Sequence, residues 1–144
     1  MEEQINILAE PTAVYQTLDD RNIFTLIKAI REGIQFPFFL SFMKKTPFSL
    51  QDWANFLHVS DRTMQRYKKE NHTFDPNQSE RIVQISILYR HGSTLFNSTE
   101  HFNIWLDTPN PGLGGIKPKS LLDSSFGINL LQDELARMEQ GILA

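Results

Sequence analysis

The sequence contains no cysteine, and this absence excludes several classes of protein at once. A chain without cysteine forms no disulfide, offers no thiolate nucleophile and cannot build a zinc finger. The sequence also has no apolar run near the roughly 18 residues that a membrane-spanning helix needs. Its first residues, Met-Glu-Glu-Gln, lack the basic region of a signal peptide. We therefore expect a cytoplasmic protein with no membrane segment.

Recognisable catalytic and metal-binding patterns are absent as well. The four histidines are scattered, and no pair has the spacing of metal ligands on one helix face. The glycine-rich run 112–115 has no strand before it and lacks the spacing of a phosphate-binding loop. No Ser/His/Asp set or cleft-forming pair of carboxylates is recognisable. The sequence predicts no catalytic residue, no metal and no cofactor, and we expect that the protein is not an enzyme.

Charge is unevenly distributed along the chain. The formal net charge is −3, but residues 1–20 carry five acidic residues and no basic one, which leaves 14 basic against 12 acidic residues in the remainder. We interpret residues 1–20 as an acidic N-terminal tail in front of a mildly basic body.

Helical periodicity dominates the rest of the sequence. From Asn22, apolar residues recur at helical spacing up to Gly33, which is placed to end that helix as a glycine cap. A long helix is predicted to open at Asn77 or Ser79 and to weaken at Gly92, and a last helix is predicted to close at Gly141. No alternating strand pattern competes anywhere, so the predicted fold class is all-α.

One segment is too apolar on every side to be a surface helix. Residues 36–43 include four phenylalanines, with Pro37 suited to a first helical turn. From the sequence, this segment belongs either to the core or to a dimer interface.

The segment from Leu50 to Lys69 has the spacing of a DNA-binding helix–turn–helix. Ser49 and Ser60 are placed as N-caps, and Ala54 is small where two helices must cross closely. Arginine and glutamine near the start of the second helix can contact base edges, whereas lysines near its end suit phosphates. The candidate DNA-binding residues are Ser60, Arg62, Thr63, Gln65, Arg66, Lys68 and Lys69. The alternative is a structural helix pair with one solvated charged face, and His58 stands where such turns often use glycine.

Two prolines and three glycines fall within residues 109–115, so this stretch cannot continue a helix. Trp105 and Leu106 precede it and Leu113 lies inside it, which indicates a structured loop facing a partner rather than a flexible linker. We expect Trp105 to anchor the loop from the core and Asn110 to hydrogen-bond the loop backbone.

The C-terminal segment resembles the toxin-binding domain of the Xre/MbcA/ParS antitoxin family. The resemblance is carried by one ordered set of residues: Trp105-Leu106, Thr108-Pro109-Asn110, Leu113-Gly114-Gly115, Pro118, Leu121-Leu122, Gly127 and Gly141. The part that contains the helix–turn–helix is similar to the Xre-type domain of the same family.

The resemblance implies an all-α, homodimeric antitoxin. Its partner would be a RES-domain toxin that consumes NAD, and the C-terminal domain would block the active site of that toxin. Binding of operator DNA through the helix–turn–helix would regulate its own operon. The implied toxin-binding residues are Thr108, Asn110, Leu113, Gly114, Gly115, Gly141, Ile142, Leu143 and Ala144. The implied domains are 21–97, an Xre-like helix–turn–helix and dimerisation domain, and 98–144, the toxin-binding domain.

Two other classes of function fit the residues. The first is a plain helix–turn–helix transcriptional regulator without a toxin partner. The second is a scaffold protein whose helix pair never contacts DNA. Independently of the function, the apolar end Ile142-Leu143-Ala144 either packs into a partner or, in the isolated protein, folds back on its own helix.

Overall fold

The computed structural model describes residues 20–143, with side chains from residue 23 to residue 141. Within this range the chain is all-α, and no β-strand forms. The helices are α1 (Asp20–Glu32), α2 (Phe36–Met43), α3 (Leu50–Phe56), α4 (Asp61–Glu70), α5 (Pro76–Leu95), α6 (Thr99–Leu106) and α7 (Ser125–Leu143). Two 3-10 turns, Pro111–Leu113 and Pro118–Leu121, lie between α6 and α7. The predicted acidic tail lies almost entirely outside the described residues.

The chain forms two compact units that divide between Ile87 and Leu88, inside α5. None of the described helices is long and apolar enough to cross a membrane. The domain ranges 21–97 and 98–144 stay a prediction.

Aromatic side chains make the core of the first unit. Trp53 on α3 is fully buried, and the rings of Phe39 and Phe42 on α2 lie 5.1 and 5.8 Å from it. Phe48 and Phe56 contact it from 6.0 and 5.5 Å. Edge-to-face packing of this kind adds to the stabilisation from apolar burial. The phenylalanines of residues 36–43 are therefore core residues of the single chain.

The first helix ends as its sequence predicts. Gly33 has φ +91°, and its N–H donates to Ala29 O at 3.0 Å. Glycine adopts this left-handed conformation without steric cost, and a Cβ there would collide with the backbone oxygen of Phe74.

The predicted start of the long helix is wrong. Helix α5 begins at Pro76, where proline lacks only an N–H that a helix start leaves unpaired. Asp75 and Gln78 cap it reciprocally, since each backbone N–H donates to the other side chain, at 3.1 and 2.7 Å. Ser79 is instead fully buried and accepts a hydrogen bond from Ile34 N at 2.9 Å.

Helix α5 also continues through Gly92 to Leu95, contrary to the prediction that it weakens there. The fully buried ring of Phe102 lies against Gly92, where any Cβ would overlap it. Glycine is present because the ring needs this space. Phe102 stacks on Trp105 at 5.6 Å, and Leu122, Ile128, Leu131 and Leu135 complete the buried core of the second unit.

Candidate functional site

The geometry of the helix–turn–helix follows from local capping chemistry. Ser49 and Asp52 form a reciprocal cap at the start of α3, with N–H to oxygen distances of 2.9 and 3.0 Å. Ala54 is fully buried, and Val59 N–H donates to its carbonyl at 3.0 Å across the turn. His58 adopts φ +59° in the place where such turns often carry glycine.

The second helix of this motif presents a polar outer face. Ser60 caps α4 by accepting from Thr63 N at 3.0 Å, and its hydroxyl donates to Thr63 Oγ1 at 2.9 Å. Met64 is fully buried and Tyr67 is half-buried, so these two side chains fix the inner face. The side chains that share the outer face are Arg62, Gln65, Arg66, Lys68 and Lys69, all exposed, whereas Thr63 is half-buried.

Tyr67 connects the outer face of α4 to the loop that follows it. Its ring stacks on His72 at 3.7 Å with nearly parallel planes, and the guanidinium carbon of Arg66 lies 5.8 Å from the ring centre. Asn71, with φ +51°, ends α4 between these residues. The sequence gives no sign that His72 supports the ring of Tyr67.

Asn110 closes the loop after α6 through the hydrogen bonds that it donates and accepts. Asn110 N–H donates to Ile116 O at 2.9 Å, and Asn110 O accepts from Leu113 N and Gly115 N at 3.0 and 2.9 Å. Its side chain accepts from Gly112 N at 2.8 Å, which confirms that Asn110 bonds the loop backbone. Gly114 and Gly115 have φ +79° and +82°, so the turn uses both glycines in left-handed conformations.

The residues that flank this loop tie it to α6. Thr108 Oγ1 donates to Ile104 O at 2.6 Å, and Lys117 Nζ lies 3.2 Å from Asp107 Oδ1. Trp105 is half-buried and stacks on Phe102, so it links the loop to the core as expected. The loop residues Thr108, Gly114 and Gly115 are exposed, and Leu113 is half-buried. The loop is thus an ordered, outward-facing element.

The C-terminal end does not close where the sequence indicated. Helix α7 continues through Gly141 to Leu143, because one glycine costs a helix only about 1 kcal/mol. Of the predicted toxin contacts here, Gly141 is exposed, the side chains of Ile142 and Leu143 lie outside the described residues, and so does Ala144.

A histidine that sequence reasoning left unassigned holds the end of α7. The ring nitrogens of His91 on α5 lie 2.8 Å from Gln132 Oε1 and 3.2 Å from Glu139 Oε2. Glu139 is two residues before Gly141, so His91 contacts α7 close to its end. No sequence signal marks this contact, since the partners are about 40 residues apart.

Within residues 20–143, no group of three or more histidine or acidic side chains could hold a metal ion. The arrangement instead consists of two surfaces, the outer face of α4 and the loop of residues 108–116 with the end of α7. Both carry exposed residues that the sequence analysis names as candidate contacts.

Two family models match this chain in succession. Residues 25–86 match the antitoxin Xre-like helix–turn–helix domain, and residues 91–141 match the antitoxin Xre/MbcA/ParS C-terminal toxin-binding domain. Together these matches cover most of the chain and include the outer face of α4, the loop of residues 108–116 and α7 as far as Gly141.

Three relatives whose names contain the word antitoxin also match this chain. A protein named Antitoxin Xre from Yersinia enterocolitica is 30% identical over 87 residues, which cover 60% of this chain and 59% of the relative. The chain therefore spans less than two thirds of that relative. A second Antitoxin Xre, from Photorhabdus laumondii, is 26% identical over 66% of this chain and 70% of its own length. A protein named Prs ADP-ribosylating antitoxin, from a Sphingobium species, is 24% identical over 93% of this chain and 90% of its own length.

Proposed function

Because this chain belongs to the Xre/MbcA/ParS antitoxin family, we propose that it neutralises a protein toxin by binding it through the second unit. The observation that carries this proposal is the loop of residues 108–116. Its conformation is held by hydrogen bonds from Asn110 while its surface stays exposed. A loop ordered before binding loses little conformational entropy on contact, which favours affinity.

We propose a RES-domain toxin that consumes NAD as the partner. The sequence resemblance supports this choice, and so does the Sphingobium relative, whose name joins an antitoxin to ADP-ribosylation. Thr108, Asn110, Leu113, Gly114 and Gly115 contact the toxin from the loop. Gly141, Ile142, Leu143 and Ala144 block its active site from the end of α7. The antitoxin itself performs no reaction and acts in the cytoplasm.

The exposed outer face of α4 supports a second activity, autoregulation of the operon through operator DNA. Arg62, Gln65 and Arg66 are placed to contact base edges, with Ser60 and Thr63 at the helix start and Lys68 and Lys69 on phosphates. We infer that two copies bind together, since a homodimer presents two such helices to two half-sites. The alternative function is a plain transcriptional regulator that uses this face alone.

A binding titration with purified RES-domain toxin tests the toxin-binding proposal. We expect Leu113→Asp to weaken the complex at least about tenfold, because a charge would replace an apolar contact at a desolvated surface. Lys28→Ala is the matched control, since Lys28 is exposed on α1 in the first unit. Unfolding curves of both variants show whether the fold survives. If both variants bind the toxin as tightly as the natural protein does, the loop is not part of the interface.

A further inference from the structure

Helix α7 exposes two large apolar side chains that no predicted site includes. Phe126 is 90% exposed and Leu130 is 42% exposed, and they are one helical turn apart on the same face. The opposite face of the helix buries Ile128, Leu131 and Leu135. Packing in the core therefore explains the apolar residues on one face of α7, but it does not explain the apolar residues on the face with Phe126.

The fold gives no reason for a phenylalanine at position 126. Among the large apolar side chains of the described residues, Phe126 is the most exposed, ahead of Phe24 at 66%. A polar residue would serve the first turn of a helix equally well or better. One exposed apolar residue is ordinary on a protein surface, but a pair beside another exposed apolar segment marks a contact surface.

That other segment is the loop of residues 108–116. Phe126, Leu130 and Glu134 are spaced four residues apart, so their side chains form one ridge along the surface of α7. The position of a Cβ on Gly112 lies 3.5 Å from Glu134 Oε1, so the loop borders this ridge. The loop contributes apolar surface of its own, since Ile116 is 42% exposed. An ion pair between Glu134 and Arg137 lies at the end of the ridge.

We propose that Phe126 and Leu130 extend the toxin-binding surface from the loop along α7, with Phe126 as an anchor that enters an apolar pocket of the toxin. This inference rests on the proposed function. Two observations favour the toxin over a second copy of this chain as the occupant. The face lies entirely within the residues that match the toxin-binding domain, and the same ridge borders the loop proposed to contact the toxin at Glu134, two helical turns after Phe126. Aromatic anchors carry a large share of the affinity at such interfaces.

Single substitutions at the exposed positions test this proposal with purified RES-domain toxin. We expect Phe126→Ser to raise the Kd about 10- to 100-fold and Leu130→Ser to raise it less, because Leu130 is less exposed. Phe24→Ser is the matched control, since it removes an exposed phenylalanine from the first unit and should leave the Kd unchanged. The thermal unfolding midpoint of Phe126→Ser should stay close to that of the natural protein, because its side chain is 90% exposed. Leu130→Ser and Phe24→Ser should lower the midpoint slightly, since each also removes partly buried atoms.

The outcomes separate this inference from the proposed function. If the natural protein does not bind the toxin, both fail together. If the natural protein binds, Leu113→Asp weakens the complex and Phe126→Ser binds like the natural protein, only the extended surface is refuted. Sedimentation of each variant alone completes the test. If Phe126→Ser splits a dimer without changing the toxin Kd, a second copy covers this face and the proposal is overturned.

Discussion

At the scale of single residues, the three glycines that stand inside α5 and α7 of the second unit have opposite roles. Gly92 is buried beneath the Phe102 ring, and Gly127 lies against the backbone oxygen of Leu121. Gly141 has no atom within 4 Å of the position that a Cβ would take. The first two permit close packing, whereas Gly141 has no packing role in the described structure.

Substitution of these glycines by alanine should therefore change stability in opposite directions. We expect Gly92→Ala to lower the free energy of unfolding by about 1–3 kcal/mol, because the Phe102 ring must move. Gly141→Ala should be neutral or stabilising by up to about 1 kcal/mol, since alanine favours the helix. Urea unfolding of both variants measures the difference. A Gly92→Ala protein as stable as the natural one would contradict the packing assigned to Phe102.

Tyr89 gives the second unit a dependence on alkaline pH. Burial raises the pKa of Tyr89 above its usual value of 10.0, although the hydrogen bond to Asn103, at 2.8 Å, acts in the lowering direction. A raised pKa in the folded state means that the stabilisation is complete below pH 10 and is lost as the pH rises through the folded-state pKa.

Tyr89→Phe should thus lower the free energy of unfolding by about 1 kcal/mol near neutral pH, because the side-chain oxygen of Asn103 loses its hydrogen-bond donor. The difference in free energy of unfolding between the natural protein and Tyr89→Phe should shrink above pH 10. There the natural protein loses the stabilisation that comes from its neutral phenol, whereas the variant has no phenol at this position to lose. Denaturant unfolding at pH 8 and at pH 10.5 measures both values. A difference that stays constant across this range would show that Tyr89 does not titrate as described.

At the scale of elements, α4 and α7 each bury one face and leave the other exposed. In α4, Met64 is buried, and the exposed face carries Arg66 and Lys69 among other polar residues. The stack of Tyr67 on His72 supports the side of α4 from which Arg66 extends. This arrangement suits contact with a duplex, in which different side chains on one helix reach bases and phosphates.

Operator binding should separate the roles of these side chains. We expect Lys69→Ala to weaken binding to all sequences and to reduce the slope of log K against log salt by about 1, because one phosphate contact is lost. Arg66→Ala should instead weaken the binding free energy for the operator by about 1–3 kcal/mol and weaken binding to random DNA less. Arg31→Ala, exposed on α1, is the control. If the chain binds operator and random DNA equally, base contact by α4 is excluded.

At the scale of the whole molecule, the chain joins two units through one continuous helix, and each unit carries one candidate surface. Features set by local chemistry were predictable from the sequence. Ser49 and Ser60 cap their helices, and Asn110 closes its loop, because each of these contacts spans only a few residues. The sequence does not decide whether the phenylalanines in residues 36–43 lie in the core or in a dimer interface, since periodicity cannot distinguish the two.

Features that depend on distant contacts were missed or wrongly predicted. Gly92 suggests a helix end by propensity alone, but it stands inside α5, where the Phe102 ring packs against it. The contact of His91 with Glu139 and the exposure of Phe126 depend on how the helices of the second unit pack. Local preferences of about 1 kcal/mol are easily outweighed by such packing.

The most direct test of the central claim is the cellular NAD concentration after induction of the RES-domain toxin, with and without this protein. We predict that NAD falls when the toxin is induced alone and recovers when the natural protein is co-expressed. A variant lacking residues 141–144 should restore NAD only in part, because the loop still binds while the segment that blocks the active site is gone. A toxin that depletes NAD to the same extent with and without the natural protein would contradict the account.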